Sequence, residues 1–310
     1  MKIKSSIIVQ LHIPNSIVKL GCLFFFSLLV FSLKATSPAN SDSLNIHIAT
    51  EEPSEEKAQG WYSTSLYAAF GMPKVNHSYA PLVYDDTFTY GAGIIFNFRF
   101  VNSFGAQLGA GLTSQKIKIS LNEYNDQYMT VDSEGDSYQK IIRAQNVKEE
   151  QTWLWFNVPV ALTYYQTLGK LELYGFSGVE MRHALTADFK QSGTFTHQGY
   201  YEQWNILFDD LGELGFYTDR PMKVEDKLEP DLLIAPFVGI GMLAPGKKSR
   251  FYMEGRYYLN SNDPFANKKQ RSLFPGPDNN QPTNEFKNTS VMSSGDVTFG
   301  GVRFILGINF

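Results

Sequence analysis

The residue types able to do chemistry are few and scattered. A hydrolase or acyl transferase needs a nucleophile held against a base. The candidates for such a pair are His183 and His77 with neighbouring serines, and none stands in a recognisable motif. A calcium loop needs carboxylates at fixed offsets, a central Gly and a closing Glu. The acidic group Asp209, Asp210 and Glu213 lacks that spacing, and His197 stands alone. Gly239 and Gly241 lie within an alternating stretch instead of opening a helix, so they form no phosphate cradle. No catalytic residue, metal ligand or cofactor is expected, and the chain reads as non-enzymatic.

Charged residues in apolar surroundings say more. Glu254 and Arg256 are two apart in RFYMEGRYYL, Glu180 and Arg182 are two apart in SGVEMRH, and Arg303 interrupts FGGVRFILGINF. Residues two apart in an extended chain share a face, and buried charges must be paired. Glu254, Arg256, Arg303 and Glu180 are therefore expected to meet in one interior network.

The elements that must carry them are strands. From Trp61 onward, period-two alternation recurs over roughly 61–71, 87–100, 104–119, 152–166, 170–183, 231–244, 249–260 and 296–310. Tight-turn residues join these strands at 101–103, 167–169 and 245–248. The other connections run through 85–86, 122–150, 186–230 and 261–295, and three of them are long and polar. Short and long connections alternate. A soluble sandwich has no reason to place every short turn at one end, whereas an outer-membrane barrel has short periplasmic turns and longer outer loops.

The faces agree with this. Val302, Phe304, Leu306, Ile308 and Phe310 share one side of the last strand, opposite Gly301, Arg303, Gly307 and Asn309. Phe88, Tyr90, Ala92, Ile94, Phe96, Phe98 and Phe100 do the same in the second. An eight-stranded barrel has a lumen only wide enough for side chains, so the face mixing Gly with Arg, Glu, Asn and Thr suits the inside, and the unbroken apolar face suits hydrocarbon. The expected fold is an all-β, eight-stranded antiparallel up-and-down transmembrane barrel with long outer loops, ten strands being the alternative. A filled lumen leaves no open channel.

Smaller features carry their own expectations. Trp61, Tyr62, Trp153, Trp155, Tyr164, Tyr165, Tyr257 and Tyr258 cluster near strand ends, where interfacial aromatics belong. Pro159 cannot donate to a ladder and must mark a bulge or a local break. Lys116 and Lys118 replace apolar residues on their face, so a bulge or an exit from the bilayer is expected there. The 186–230 connection carries Tyr200, Tyr201, Trp204 and Phe208, which either dock a protein or glycan partner or pack a cap over the barrel.

Residues 1–36 read as a cleaved signal peptide, with lysines ahead of the apolar run Leu20–Leu33 and small Ala35 and Ser37 after it. Cys22, the only cysteine, lies within this segment, and Lys19 makes a poor lipobox. Residues 37–59 read as a flexible acidic leader, and 60–310 as the barrel domain. A formal net charge of −4 and a mean hydropathy of −0.23 favour neither a nucleic-acid partner nor a helical membrane bundle.

The signal peptide, the run WFNVPVALTYY with its tight turn and following LYGFSGVEM, and the closing GGVRFILGINF resemble the PorT-like outer-membrane β-barrel proteins over the whole mature region. The resemblance implies a Gram-negative outer-membrane location, with lipid as surroundings. Phe304, Leu306, Ile308 and Phe310 look like the C-terminal signal read by the barrel-insertion machinery. Three roles stay open: a structural or partner-binding barrel acting through its outer loops, a component of a secretion apparatus, and a lipid-modifying enzyme at the rim.

Overall fold

The computed structural model describes residues 62–79, 81–101, 103–246, 249–267, 269–274 and 289–310, with the side chains of 86 and 87 left aside. The expected signal peptide, the leader and Trp61 lie outside the described residues.

Ten strands follow in chain order: β1 (Tyr62–His77), β2 (Val83–Val101), β3 (Phe104–Val131), β4 (Ser137–Leu168), β5 (Leu171–Tyr201), β6 (Ile206–Phe208), β7 (Tyr217–Lys227), β8 (Leu233–Ala244), β9 (Arg250–Tyr258) and β10 (Val297–Asn309). Neighbours in the ring run β1, β2, β3, β4, β5, β8, β9, β10 and back to β1, antiparallel throughout. Eight strands thus close an up-and-down barrel. The remaining two, β6 and β7, pair only with the far part of β5 and stay outside the ring.

An apolar band encircles the barrel next to the tight turns. Phe88, Tyr90, Phe96, Phe98 and Phe100 of β2 face outward with Leu108 and Leu112 of β3, Phe156, Val160 and Leu162 of β4, and Phe304, Leu306, Ile308 and Phe310 at the end of the chain. From Phe88 to Phe100 the strand runs ~40 Å at ~3.3 Å per residue. At a tilt of roughly 45° this gives a height near 28 Å, close to the band of a transmembrane barrel.

The connections differ from expectation at the other end. Residues 122–150 are mostly strand: β3 continues to Val131 and β4 starts at Ser137. Most of 186–230 is β5 and β7. Beyond Lys116 the outward side chains of β3 are polar up to Gln127, with Met129 and Val131 exposed only at its far end, so the apolar-out pattern stops although the extended backbone goes on. The ladder β3–β4–β5–β7 forms a four-stranded sheet that outruns the rest of the ring, with Val131 on the order of 50 Å of strand past Lys116. The first connection occupies 78–82, and the Asp85–Asp86 pair lies within β2 beside a register shift between Asp85 and Phe88. Lys116 and Lys118 keep an unbroken register against β4, opposite Thr152 and Glu150, while against β2 they pair with Phe88 and Asp85 on either side of that register shift, so the irregularity expected there falls in the β2–β3 ladder.

Pro159 is opposite Glu180 without a register shift. On its other side the β3–β4 pairs skip from Leu108↔Val160 to Gly111↔Asn157, a local break where the missing N–H would have donated. Gly109 faces it there, and a Cβ on that residue would sit 2.9 Å from the Pro159 ring.

Candidate functional site: a charged lumen beneath a loop plug

Inside the band the lumen is filled by aromatic rings laid over glycines of neighbouring strands. Phe176 covers Gly239, Tyr174 covers Gly241, and Tyr252 covers Gly307. Their inward rings leave space for no side chain opposite, which explains the glycines on the inner face.

Between the rings lies an ion network. Glu180 of β5 accepts from Arg303 of β10 at 3.0 Å, from Arg182 at 2.6 Å and from the Tyr258 hydroxyl at 2.6 Å, and Arg256 approaches it at 3.9 Å. Glu254 accepts from Arg256 at 2.6 and 2.8 Å, from Gln107 at 3.2 Å and from Tyr174 at 2.9 Å. Arg182 and Arg303 also stand over the Tyr258 ring, 4.7 and 4.9 Å from its centroid, and Arg256 over Phe237 at 5.1 Å. The four residues singled out in the sequence, Glu180, Glu254, Arg256 and Arg303, are brought together and are all buried. Gln107, Tyr174 and Tyr258 were not legible as partners, because neither amides nor phenols stand out in an alternating strand.

At the tight-turn end Glu172 takes an ion pair from Arg99 and a second, at 3.6 Å, from Arg250. Arg99 lies over the Tyr165 ring at 4.2 Å. Together with Ser63, Asn97, Tyr252 and Asn309, these residues line a cavity of about 300 Å³ that ends at the Glu254 level.

The opposite mouth is closed by the β9–β10 connection. Its Phe265, Phe274, Val291 and Met292 are buried against Trp153, Phe195 and Phe299. Trp153 and Trp155 stack on each other at 4.9 Å within this core, and Tyr165 and Tyr258 also face inward. Four residues expected at an interface are therefore interior. The reason is parity: Leu154 and Phe156 hold the outward positions, leaving the tryptophans inward with Asn157, Ala161 and Thr163.

One carboxylate pins this plug. Glu149, fully enclosed, accepts from Ser290 Oγ at 2.5 Å and Val291 N at 3.1 Å on the plug, and from Gln151 at 2.5 Å and Gln191 at 2.7 Å on the wall. Burial raises its carboxyl above the ordinary range, opposed by those four donors. Trp153 Nε1 extends the chain by donating to Gln151 at 3.0 Å.

The far tip is an aromatic cluster. Tyr201 stacks on Tyr138 at 5.0 Å and on Trp204 at 5.1 Å, Phe208 meets it edge-on, and its hydroxyl donates to Asp132 at 3.0 Å. Of the expected loop surface, Tyr201 is buried and Phe208 half-buried, while Tyr200 is half-buried on the opposite face and its hydroxyl donates to Asn205 at 2.9 Å. Trp204 keeps half its area exposed.

The residues considered for catalysis are spread out. His183 is exposed on the outward face of β5, opposite Phe156. His77 ends β1 and accepts from Tyr79 N at 2.9 Å through Nδ1. His197 lies fully buried in β5, its ring 5.2 Å from Tyr217, and burial lowers its pKa to about 3. No group of three His, Cys, Asp or Glu able to hold a metal occurs among the described residues.

No family model matches the chain, and no curated protein does. Among solved structures it is similar to the outer membrane protein OprG from Pseudomonas aeruginosa, at 11% identity and a TM-score of 0.37, over 80% of this chain and 93% of that one. It is also similar to Ail, the attachment invasion locus protein of Yersinia pestis, seen in complex with the heparin analogue sucrose octasulfate. There the identity is 10% and the TM-score 0.30, over 80% of this chain and 99% of that one. The barrel itself is established by its own closed ladder.

Proposed function

We propose that this chain is a non-enzymatic barrel of a Gram-negative outer membrane that engages a protein or glycan partner through the sheet it raises beyond the bilayer. The observation that carries this is the division of β3, β4 and β5. Their lower parts present Leu, Phe and Val outward, and their upper parts present Lys, Gln, Thr and Ser over a packed inner face. A strand that only crosses a bilayer needs about ten residues; β4 has 32. Holding so much additional backbone straight, closing the mouth beneath it and capping it with packed aromatics makes a rigid display surface, with Trp204, Ile206, Leu207, Leu211 and Leu214 exposed at its tip. Large apolar side chains exposed together at the end of a rigid element suit recognition better than they suit solvent.

The apolar band supports insertion in lipid, and outward Phe304, Leu306, Ile308 and Phe310 support reading by the insertion machinery. Membership of the PorT-like proteins belongs to this proposal too and rests on the sequence resemblance. The lumen supports the non-enzymatic reading: its buried carboxylates are paired with arginines, and His183 faces away from it.

The test is surface labelling of the full chain. Leu214→Cys should react with a membrane-impermeant maleimide on intact cells, whereas Lys170→Cys in the β4–β5 turn should react only after the outer membrane is breached. Equal labelling of both before breaching, or recovery of the protein in a soluble fraction, would overturn the reading. Removing residues 202–216 should abolish capture of whatever co-purifies with the intact protein.

A further inference from the structure

The far tip of the sheet leaves apolar area uncovered above its packed aromatics. Trp204, Ile206, Leu207, Leu211 and Leu214 each keep two fifths or more of their area exposed, and Met129 and Val131 at the end of β3 add to them. The backbone that carries the loop residues is fixed. Leu214 N and Phe216 N both donate to Leu211 O, at 2.9 and 3.1 Å, Asn205 N donates to Glu202 O at 3.1 Å, and the Thr218 hydroxyl donates to Asp209 O at 3.2 Å. A patch held in this way loses little conformational freedom on binding.

The charge around this patch has one sign. The segment EQWNILFDDLGELGFYTD, 202–219, and the turn VDSEGD, 131–136, hold five and three carboxylates, and neither contains a lysine, arginine or histidine. The two segments meet where the Tyr201 hydroxyl donates to Asp132 at 3.0 Å and its ring stacks on Tyr138. Asp132 and Asp219 are engaged within the fold, the first by the Glu134 and Asp136 N–H groups and the second by the Thr196 hydroxyl. Asp209, Asp210 and Glu213 are exposed among the leucines. The bordering arginines, Arg220 and Arg271, lie over the rings of Tyr217 and Tyr128. This combination selects among partners. A second copy of the tip would bring carboxylates against carboxylates, and a phosphate- or sulfate-bearing surface would be repelled in the same way. A neutral glycan would find a stacking platform in Trp204 alone, and the four aliphatic side chains would strip water from its hydroxyls without replacing their hydrogen bonds.

We propose that the tip docks into an apolar groove, rimmed by lysine or arginine, on a partner protein. Trp204 and the leucines fill the groove, and Asp209, Asp210 and Glu213 meet the cationic rim. At such an interface the apolar anchors supply most of the affinity, while the charges choose the partner and speed the encounter. The inference rests on the outer-recognition reading above and narrows it to one class of partner.

The experiment uses the full mature chain in lipid nanodiscs and a random peptide library displayed on phage as the probe, at about 0.15 M salt so that long-range attraction is screened. Phage that also bind the chain lacking 202–216 are removed first. The retained peptides should join Lys or Arg to aromatic or aliphatic residues. Fluorescence anisotropy with one such peptide then compares affinities. Asp209→Asn/Asp210→Asn should weaken binding about fivefold, as expected for two exposed charge pairs, and Trp204→Ala about tenfold, as expected for a central anchor. Protease resistance of 202–216 confirms that each variant keeps the loop folded, and the Asn pair, which preserves side-chain shape, suffices should Trp204→Ala loosen it. Peptides without cations, no enrichment over the shortened chain, or unchanged affinity in the folded variants would overturn the proposal. So would tip-dependent self-association in sedimentation, or binding of neutral or sulfated glycans in place of peptides. Each of these results leaves surface labelling at Leu214→Cys as it was, so the proposal can fail while the outer-surface reading stands.

Discussion

Replacing Glu180 with Gln is the most demanding perturbation of the barrel. Its carboxylate faces three guanidiniums, Arg182 at 2.6 Å, Arg303 at 3.0 Å and Arg256 at 3.9 Å, and the Tyr258 hydroxyl at 2.6 Å, and every one of these side chains is buried. Arg256 retains Glu254 in the variant, but Arg182 and Arg303 lose their only carboxylate among the described residues. Removing one member of a buried pair costs about 3–5 kcal/mol, because the partner stays desolvated and uncompensated. With two arginines stranded, Glu180→Gln should fall at the upper end of that range. Glu180→Gln/Arg303→Met should recover at least half of the loss, since it removes one stranded charge and adds apolar volume. Urea unfolding in micelles or vesicles, followed by tryptophan fluorescence from the buried Trp153–Trp155 pair, measures both. A loss below about 1 kcal/mol for the single variant would refute the account of the lumen as an obligate charge network. So would additivity of the two changes, because residues in one network must couple.

Other expectations are equally direct. Glu149→Ala should free the plug, so that protease cuts within 263–296 faster while the barrel still migrates as folded. Because burial raises the Glu149 carboxyl, the folded state holds its proton more tightly than the unfolded one. The stabilisation is complete below the ordinary glutamate range and fades as pH rises toward the raised value; plug cleavage should be slower at pH 5 than at pH 7.5, and Glu149→Gln should flatten that dependence. Gly239→Val would thrust a side chain into the Phe176 ring and the Gly255 carbonyl, costing on the order of 1–3 kcal/mol by overpacking, read as a shifted urea midpoint. Tyr201→Ala should loosen the tip, accelerating proteolysis of 202–216 while leaving barrel unfolding unchanged, because it packs with Tyr138, Trp204, Phe208 and Phe216 and donates to Asp132, all at the tip.

What was readable in the sequence follows from which solvent each face meets. Where one face meets an apolar surrounding and the other a crowded polar interior, as in β2 and β10, alternation showed both the strand and its inner face, and Glu180, Glu254, Arg256 and Arg303 could be placed together. Beyond Lys116 the outer face meets water, its residues become Gln, Thr, Ser and Lys, and the strand took on the composition of a loop. The plug was invisible for another reason: Phe265, Leu273, Phe274, Val291 and Met292 are short apolar fragments without a period. Glu149 could not be told from Glu150, its exposed neighbour, since only the parity of β4 separates them. The Arg99–Glu172–Arg250 cluster is assembled from three strands, and no local spacing announces it.

The seam between β1 and β10 imposes an order on assembly. Asn309 donates to Ser63 across 246 residues of chain, and thirteen paired positions join the two strands. Every other junction in the ring except β5–β8 is between strands adjacent in sequence, so each can zip as a hairpin while this one waits. Until it forms, the nascent sheet has two long unsatisfied margins, each able to recruit the wrong strand from another molecule. The hazardous species is therefore the nearly finished one, and whatever chaperones this chain has most to gain by sheltering β1 until β10 arrives.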